Sequence, residues 1–340
     1  MKRRILALIL MVLAAELALA VPVLALTPFG TRLLQDLAPS PSPSPTPILT
    51  VRGTPPPVSA EAAYLLDADT GHALADVQGE RRLPMASTTK VMTALITIQT
   101  ADLNQIVTIR QDAITQVQQY NGSSANLVVG DQIRLQDLLY GLMLPSGDDA
   151  AIAIADAVGG TTSNFVRTMN LFAKRLHLTQ THYINPDGLT YLTPQGRPDP
   201  NQYSSAADLA HLTRFAMANP FFAQLVELQH YILPASVVHH AYTWDSINTL
   251  LSTYPGATGV KTGYTMEAGY CLVFAATNGQ HHLIGVLLHE PNAAQRFADA
   301  RALLNWGFAL PLLPPTSYLH DTQTDHCKML KNGGFVSLFA

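Results

Sequence analysis

Ser87-Thr88-Thr89-Lys90 runs directly into Val91-Met92-Thr93-Ala94-Leu95-Ile96, and the fold turns on how that stretch is read. Placed on a helix from Ser87 to Thr100, Ser87 and Lys90 lie one turn apart on one face. A serine hydroxyl is a weak nucleophile that needs an adjacent base, and a lysine one turn on can reach it. A serine in the first turn of a helix also points its backbone N–H at the reacting centre, where the helix dipole favours negative charge. The apolar residues that follow predict a buried helix body that holds the pair rigid. Alone, the spacing is weak: about one chance S-x-x-K match arises in a chain of this size. The ordinary reading of Ser87 is a helix cap, and of Lys90 a solvated helix residue. Two further short motifs follow in order, Ser146-Gly147-Asp148 and Lys261-Thr262-Gly263. Singly, the first reads as a loop ending in a helix cap and the second as a turn before a strand. It is the ordered trio that carries the functional reading.

Outward from the trio, the pattern predicts strands at both ends and helices between. Ala63 to Leu66 and His72 to Val77 flank a turn-like Asp67-Ala68-Asp69-Thr70-Gly71 and read as a hairpin. Leu135 to Met143 and Asp149 to Val158 read as helices, with Ser146 on the loop between them. Asn164 to Leu176 is a third amphipathic stretch, and Ser205 with Asp208 opens another helix. Leu272 to Thr277 and His281 to Leu288, joined through Asn278-Gly279, give the clearest hairpin signal. Asn292 to Trp306 reads as a closing helix. The expected architecture is α+β, with a helical subdomain inserted into the core.

The flanks of the motifs extend the pattern. Arg81-Arg82-Leu83-Pro84-Met85-Ala86 leads into Ser87, and Asn185-Pro186-Asp187-Gly188-Leu189 and Tyr203-Ser204-Ser205-Ala206 follow later. Gly259-Val260-Lys261-Thr262-Gly263-Tyr264-Thr265 and Leu303-Leu304-Asn305-Trp306-Gly307-Phe308 come last. From about Ala60 to Leu310 the chain resembles the serine-type D-alanyl-D-alanine carboxypeptidases, the low-molecular-mass penicillin-binding proteins. The resemblance implies a β-lactamase/transpeptidase-like fold, an antiparallel sheet covered by helices with an all-α lobe. It implies Ser87 as acyl-ester nucleophile, Lys90 as its proton acceptor and Ser146 as a proton relay to the leaving group. Lys261, with Thr262, Gly263 and Asp148, would bind substrate, Lys261 pairing with its terminal carboxylate. The backbone N–H groups of Ser87 and Tyr264 would form the oxyanion hole. The implied substrates are peptidoglycan stem peptides, with β-lactams as covalent inhibitors and no cofactor.

One residue departs from the family pattern: Asp148 stands where Asn is usual. An amide donates and accepts, whereas an ionised carboxylate only accepts. Beside Lys90 it would favour the ammonium and oppose a base role, while Lys261 would push the other way. An impaired, peptidoglycan-binding homologue is therefore one alternative. A β-lactamase is the other, but no E-x-x-L-N run, the deacylating Glu of class A enzymes, stands between the second and third motifs.

The 340 residues are 48% hydrophobic and 13% charged, ample for a sizeable core. A net charge of −4 supplies no basic field for nucleic acid. Two cysteines exclude a disulfide scaffold; Cys271 reads as a small buried hydrophobe, and Cys327 lies in the tail. The 12 histidines invite a metal reading. However, His239-His240 and His281-His282 are adjacent pairs whose members face opposite ways on a strand, and no H-E-x-x-H occurs. His320, His326 and Cys327 read as part of a solvated tail. No metal site is expected. At the start, Lys2-Arg3-Arg4 precedes an apolar run, so residues 1–26 read as a signal peptide or an N-terminal membrane anchor. Residues 27–57 are a Pro/Ser-rich linker of extended polyproline character, 58–310 the catalytic domain, and 311–340 a tail without an assigned role. The catalytic part is expected to be exported.

Overall fold

The computed structural model describes residues 48–313. The expected leader or anchor, most of the linker, Cys327, His320 and His326 lie outside the described residues. In chain order the main elements open with strands β1 (Ala62–Asp67) and β2 (Ala73–Val77), then a 3₁₀ turn (Ala86–Thr89) leading into helix α1 (Lys90–Thr100). Strand β3 (Ile106–Thr108), α2 (Gln111–Tyr120), β4 (Gln132–Arg134), α3 (Leu135–Met143), α4 (Asp148–Gly159) and α5 (Thr162–Arg175) form the inserted part. Then come α6 (Ala206–Met217), α7 (Pro220–Glu227), β5 (His230–Leu233), β6 (Tyr242–Asp245) and the short α8 (Leu250–Thr253). Strands β7 (Ala257–Thr265), β8 (Gly269–Thr277) and β9 (His282–Glu290) and helix α9 (Ala293–Phe308) close the domain.

The main sheet has five antiparallel strands in the order β2-β1-β9-β8-β7. The N-terminal strand thus pairs with one from the far end, Leu66 opposite Ile284 and Tyr64 opposite Val286. Alternation along the strands divides the interior in two. On β8, Cys271, Val273 and Ala275 face the larger core, which α1 and the helices after it fill. Leu272, Phe274 and Ala276 face the smaller one, with Phe297, Leu303 and Leu304 of α9. Both faces are covered, so the central strands read as near-continuous apolar runs. The α+β class with an inserted helical lobe is observed.

The predicted elements fall where the sequence places them. Helix α3 matches residue for residue, and Ser205 caps α6 by accepting from the Asp208 N–H (3.1 Å). The hairpin through Asn278-Gly279 forms with Thr277 opposite His282, and Cys271 is buried. The stretch from Ser87 is the exception. Its first three residues, with Ala86 before them, are 3₁₀ rather than α, and Ala86 has φ +49°. In 3₁₀ geometry residues i and i+3 eclipse, which sets Lys90 directly over Ser87.

Glu290, at the end of β9, is 1% exposed beside Asp299 of α9. Burial, and then the Asp299 charge, push its carboxyl up to about 8. A folded value above the unfolded one, about 4.3, contributes stability that is complete below the unfolded value and lost as pH rises through the folded one. The domain should therefore lose stability between about pH 5 and 9. Glu290→Gln should flatten that slope, gaining about 1–3 kcal/mol at pH 9 and little at pH 5. Denaturant unfolding at both pH values checks this; identical slopes in the two proteins would refute it.

Candidate active site

Lys90 is the least exposed cation at the junction of the sheet and the helical lobe, with no accessible surface. Its Nζ donates to Ser87 Oγ (2.9 Å), to Asp148 Oδ1 (2.5 Å) and to the Asp187 carbonyl (2.7 Å). The three acceptors come from the 3₁₀ turn, the start of α4 and the loop that carries Asn185 to Leu189. That loop is tied down by its own side chains. Asn185 accepts from the Gly188 N–H (2.8 Å) and donates to the Leu189 carbonyl (2.8 Å), while Thr93 of α1 donates to the Pro186 carbonyl (2.7 Å). Gly188 is required there. Its φ is +89°, and a Cβ would come within 1.9 Å of the Ala86 carbonyl oxygen.

The second motif sits on the α3–α4 loop as the sequence predicts. Ser146 holds φ +68°, a left-handed conformation uncommon for serine and costly unless its surroundings fix it. Gly147 N–H donates to the Gly141 carbonyl (3.0 Å) and Asp148 N–H to the Ser123 carbonyl (2.8 Å). Asp149 accepts from Ser124 Oγ (2.7 Å) and the N–H groups of Ala125 and Leu127 (2.8 and 3.1 Å). The segment after α2 is thereby held against α4 as one wall of a cleft.

The opposite wall is β7, the edge strand of the sheet. It approaches the 3₁₀ turn so closely that a Cβ on Gly263 would lie 3.1 Å from Ser87 N and the Met85 carbonyl. The cleft has a volume of about 190 Å³. Ser87, Ser146, Asp148, Thr262, Gly263 and Tyr264 line it, together with Asn121, Gly122, Ser123, Leu189, Ile247 and Arg296. The hydroxyls of Ser146 and Thr262 are buried with no hydrogen-bond partner among the described residues, so both are available to a bound molecule. A larger groove, about 870 Å³, runs between α6 and the sheet past His211 and Arg214. It contains none of the motif residues, and the chemistry belongs to the smaller cleft. Among the described residues no cluster of His, Cys, Asp and Glu could hold a metal ion.

Charge in the site is dominated by burial. Burial raises Asp148 above the usual carboxylate range although Lys90 opposes the rise. Burial, then the nearby Asp148 charge, push Asp187 up to about 7. Lys261 is lowered well below the usual lysine value, by burial first and then by Lys90. Its Nζ donates to the Thr262 carbonyl (3.0 Å), and the residue does not line the cleft. The cation that does line it is Arg296 on α9, which the sequence reading did not single out. Arg296 donates to the Gly263 carbonyl (3.1 Å) and stacks over Tyr270 and Phe297. Its Nε is buried without a partner among the described residues. A cation one turn from the Asn292 cap runs against the helix dipole, and that is the signal that could have found it. In the sequence Asp187 stands out only within the Asn185–Leu189 run.

Residues 50–292 match the D-alanyl-D-alanine carboxypeptidase family. The chain belongs to that family. It is 37% identical over 269 residues to a D-alanyl-D-alanine carboxypeptidase of Streptomyces sp. (strain K15), covering 76% of this chain and 90% of that one. A relative from Mycobacterium tuberculosis is 34% identical, with 74% and 83% covered. Against the Bacillus subtilis relative, 31% identical over 74% of this chain, only 62% of the relative's length is spanned. The solved Streptomyces K15 DD-transpeptidase superposes with TM-score 0.69 at 37% identity, over 76% of this chain and all of that one. The Francisella tularensis D-alanyl-D-alanine carboxypeptidase DacD gives 0.68 at 25% identity, over 81% and 75%. The protein is thus a serine-type, penicillin-binding D-alanyl-D-alanine carboxypeptidase, and neither a β-lactamase nor an inert module is favoured.

Proposed function

We propose that the chain removes the terminal D-alanine from peptidoglycan stem peptides through an ester on Ser87. The observation that carries this is the 2.9 Å contact between Lys90 Nζ and Ser87 Oγ at the base of a cleft bounded by an edge strand. The peptide lies along β7, whose free edge offers main-chain pairing. Ser87 Oγ attacks the penultimate carbonyl carbon as neutral Lys90 takes the hydroxyl proton. Charge gathers on the carbonyl oxygen near the backbone N–H groups of Ser87 and Tyr264, each donor typically worth about 10²–10³ in turnover. Ser146, with its free hydroxyl, passes a proton to the departing D-alanine nitrogen, and water then cleaves the ester. β-Lactams acylate the same oxygen.

For the terminal carboxylate, the burial of Lys261 disfavours its charge, whereas an arginine stays protonated in proteins. We assign the electrostatic part of carboxylate recognition to Arg296, with the Thr262 hydroxyl as donor and Lys261 and Gly263 shaping the strand behind it. Residues 58–310 are proposed as the catalytic domain and 27–57 as a spacer from an N-terminal leader or anchor. No helix among the described residues is long and apolar enough to cross a membrane. N-terminal sequencing of the protein from its host should find cleavage near Ala20 or Ala25, or an intact Met1 in the membrane fraction; full-length protein in the cytosol would contradict both.

Intact-mass measurement after incubation with a penicillin should show a covalent adduct on the wild type and none on Ser87→Ala. Loss of a serine nucleophile can cost about 10⁶ in turnover. An adduct on the alanine variant would reject the assignment. Arg296→Gln should lower turnover of acid-terminated peptides at least about tenfold, roughly 1.4 kcal/mol, while barely changing amide-terminated ones. Arg296→Lys should recover part of the difference. Equal losses on both substrates would assign Arg296 a purely structural role.

A further inference from the structure

The three contacts of Lys90 raise a problem for the reaction just described. An ammonium has three N–H donors, and Ser87 Oγ, Asp148 Oδ1 and the Asp187 carbonyl take one each. In the ammonium form all three Nζ protons of Lys90 are engaged in this way. It cannot take another from Ser87 until one has left. The Ser87 hydroxyl cannot take it without becoming an oxonium, and an amide carbonyl has no useful basicity. Only the Asp148 carboxylate is a base in contact with Nζ.

Asp148 is also built to take that proton. It is 1% exposed, and its second oxygen, Oδ2, is buried with no hydrogen-bond partner among the described residues. A carboxylate so enclosed has one compensating contact, Lys90 itself. Two charges removed from water are costly, and a neutral acid beside a neutral amine avoids that cost. The other titratable groups facing Asp148 are Asp149 on its own helix, Lys261 on β7, and Asp187 and Tyr191 on the neighbouring loop. Burial lifts its proton affinity in the same direction.

We propose that Asp148, standing where the family usually has an amide, is the proton acceptor that frees Lys90 to act as a base. This rests on the acyl-transfer reading above. The Nζ–H bond breaks and the proton passes to Asp148 Oδ1, leaving a neutral amine and a neutral carboxylic acid. The lone pair on Nζ then takes the Ser87 hydroxyl proton as the Oγ–C bond forms and the carbonyl π pair moves to oxygen. When the intermediate collapses, the C–N bond breaks and the leaving nitrogen receives a proton from the Lys90 ammonium through Ser146. The Asp148 proton returns to Nζ, and the pair ends with the single proton it began with. No proton leaves for solvent. The carboxylate that opposes the base when read from sequence serves it once both groups are buried.

The consequence is a specific pH dependence. In the wild type the pair is blocked only by a second proton, bound to Asp148 beside the ammonium. In Asp148→Asn the reactive amine forms only by losing a proton to solvent. The experiment is the second-order rate of acylation by benzylpenicillin from pH 4 to 10, followed by intact mass, for both proteins. The acid limb of the Asn variant should move up by about one pH unit or more. A limb that moves down would mean that Asp148 merely holds Lys90 charged, and would overturn the proposal. A slower Asn variant with an unmoved limb would overturn it too, in favour of a structural role. Should the variant fail to fold by circular dichroism, the wild-type limb decides alone: below about pH 6, in the carboxyl range, it supports the proposal, and above about pH 7 it refutes it. Wild type that forms no adduct at any pH would instead reject the acyl-transfer reading, and the proposal with it.

Discussion

A buried lysine organises this domain. Lys90 has no accessible surface, and an unpaired ammonium in such a place would cost several kcal/mol. Each segment that meets it supplies an acceptor. The 3₁₀ turn brings a hydroxyl, α4 brings a carboxylate, and the Asn185–Leu189 loop brings a main-chain carbonyl. The supporting bonds of Asn185, Thr93 and Asp149 hold those segments in register. Their common result is that no part of the site can shift without exposing or orphaning a charge.

Close approach is the second constraint. Gly188 and Gly263 pack against Ala86 and Ser87, Gly188 at a distance that excludes any side chain and Gly263 at one that leaves a side chain little room. The turn that presents the nucleophile is thereby clamped between the loop and the edge strand. This explains why it departs from α geometry: the left-handed Ala86 and the 3₁₀ turn let the chain enter α1 from between two walls.

Much of this was legible in the sequence, for identifiable reasons. The α3 helix, the β1–β2 hairpin and the β8–β9 hairpin are set by local periodicity and turn chemistry, so local reading finds them. The motif trio names Ser87, Ser146, Asp148 and the third-motif strand because their chemistry is local to each motif. What stayed hidden depends on three-dimensional packing. Helix α2 fully buries only Ala113, and the short β3–β4 pair has three residues a strand. Lys261 looks like a ligand for an anion until its burial is seen. Arg296 belongs to a helix whose apolar residues serve the opposite core, and only the fold carries its head group around to the cleft. The Lys90–Asp148 contact was anticipated, but its sign of effect depends on burial, which no spacing reveals.

The sheet order has a consequence for the life of the chain. β1 is synthesised early, yet its partner β9 emerges more than two hundred residues later, and α9 with Arg296 later still. Pairings of such long range close late in folding. The cleft wall formed by β7 and the cation on α9 therefore arrive after the nucleophile and its lysine are already made. Until α9 docks, Ser87 and Lys90 lack the cation that lines the cleft.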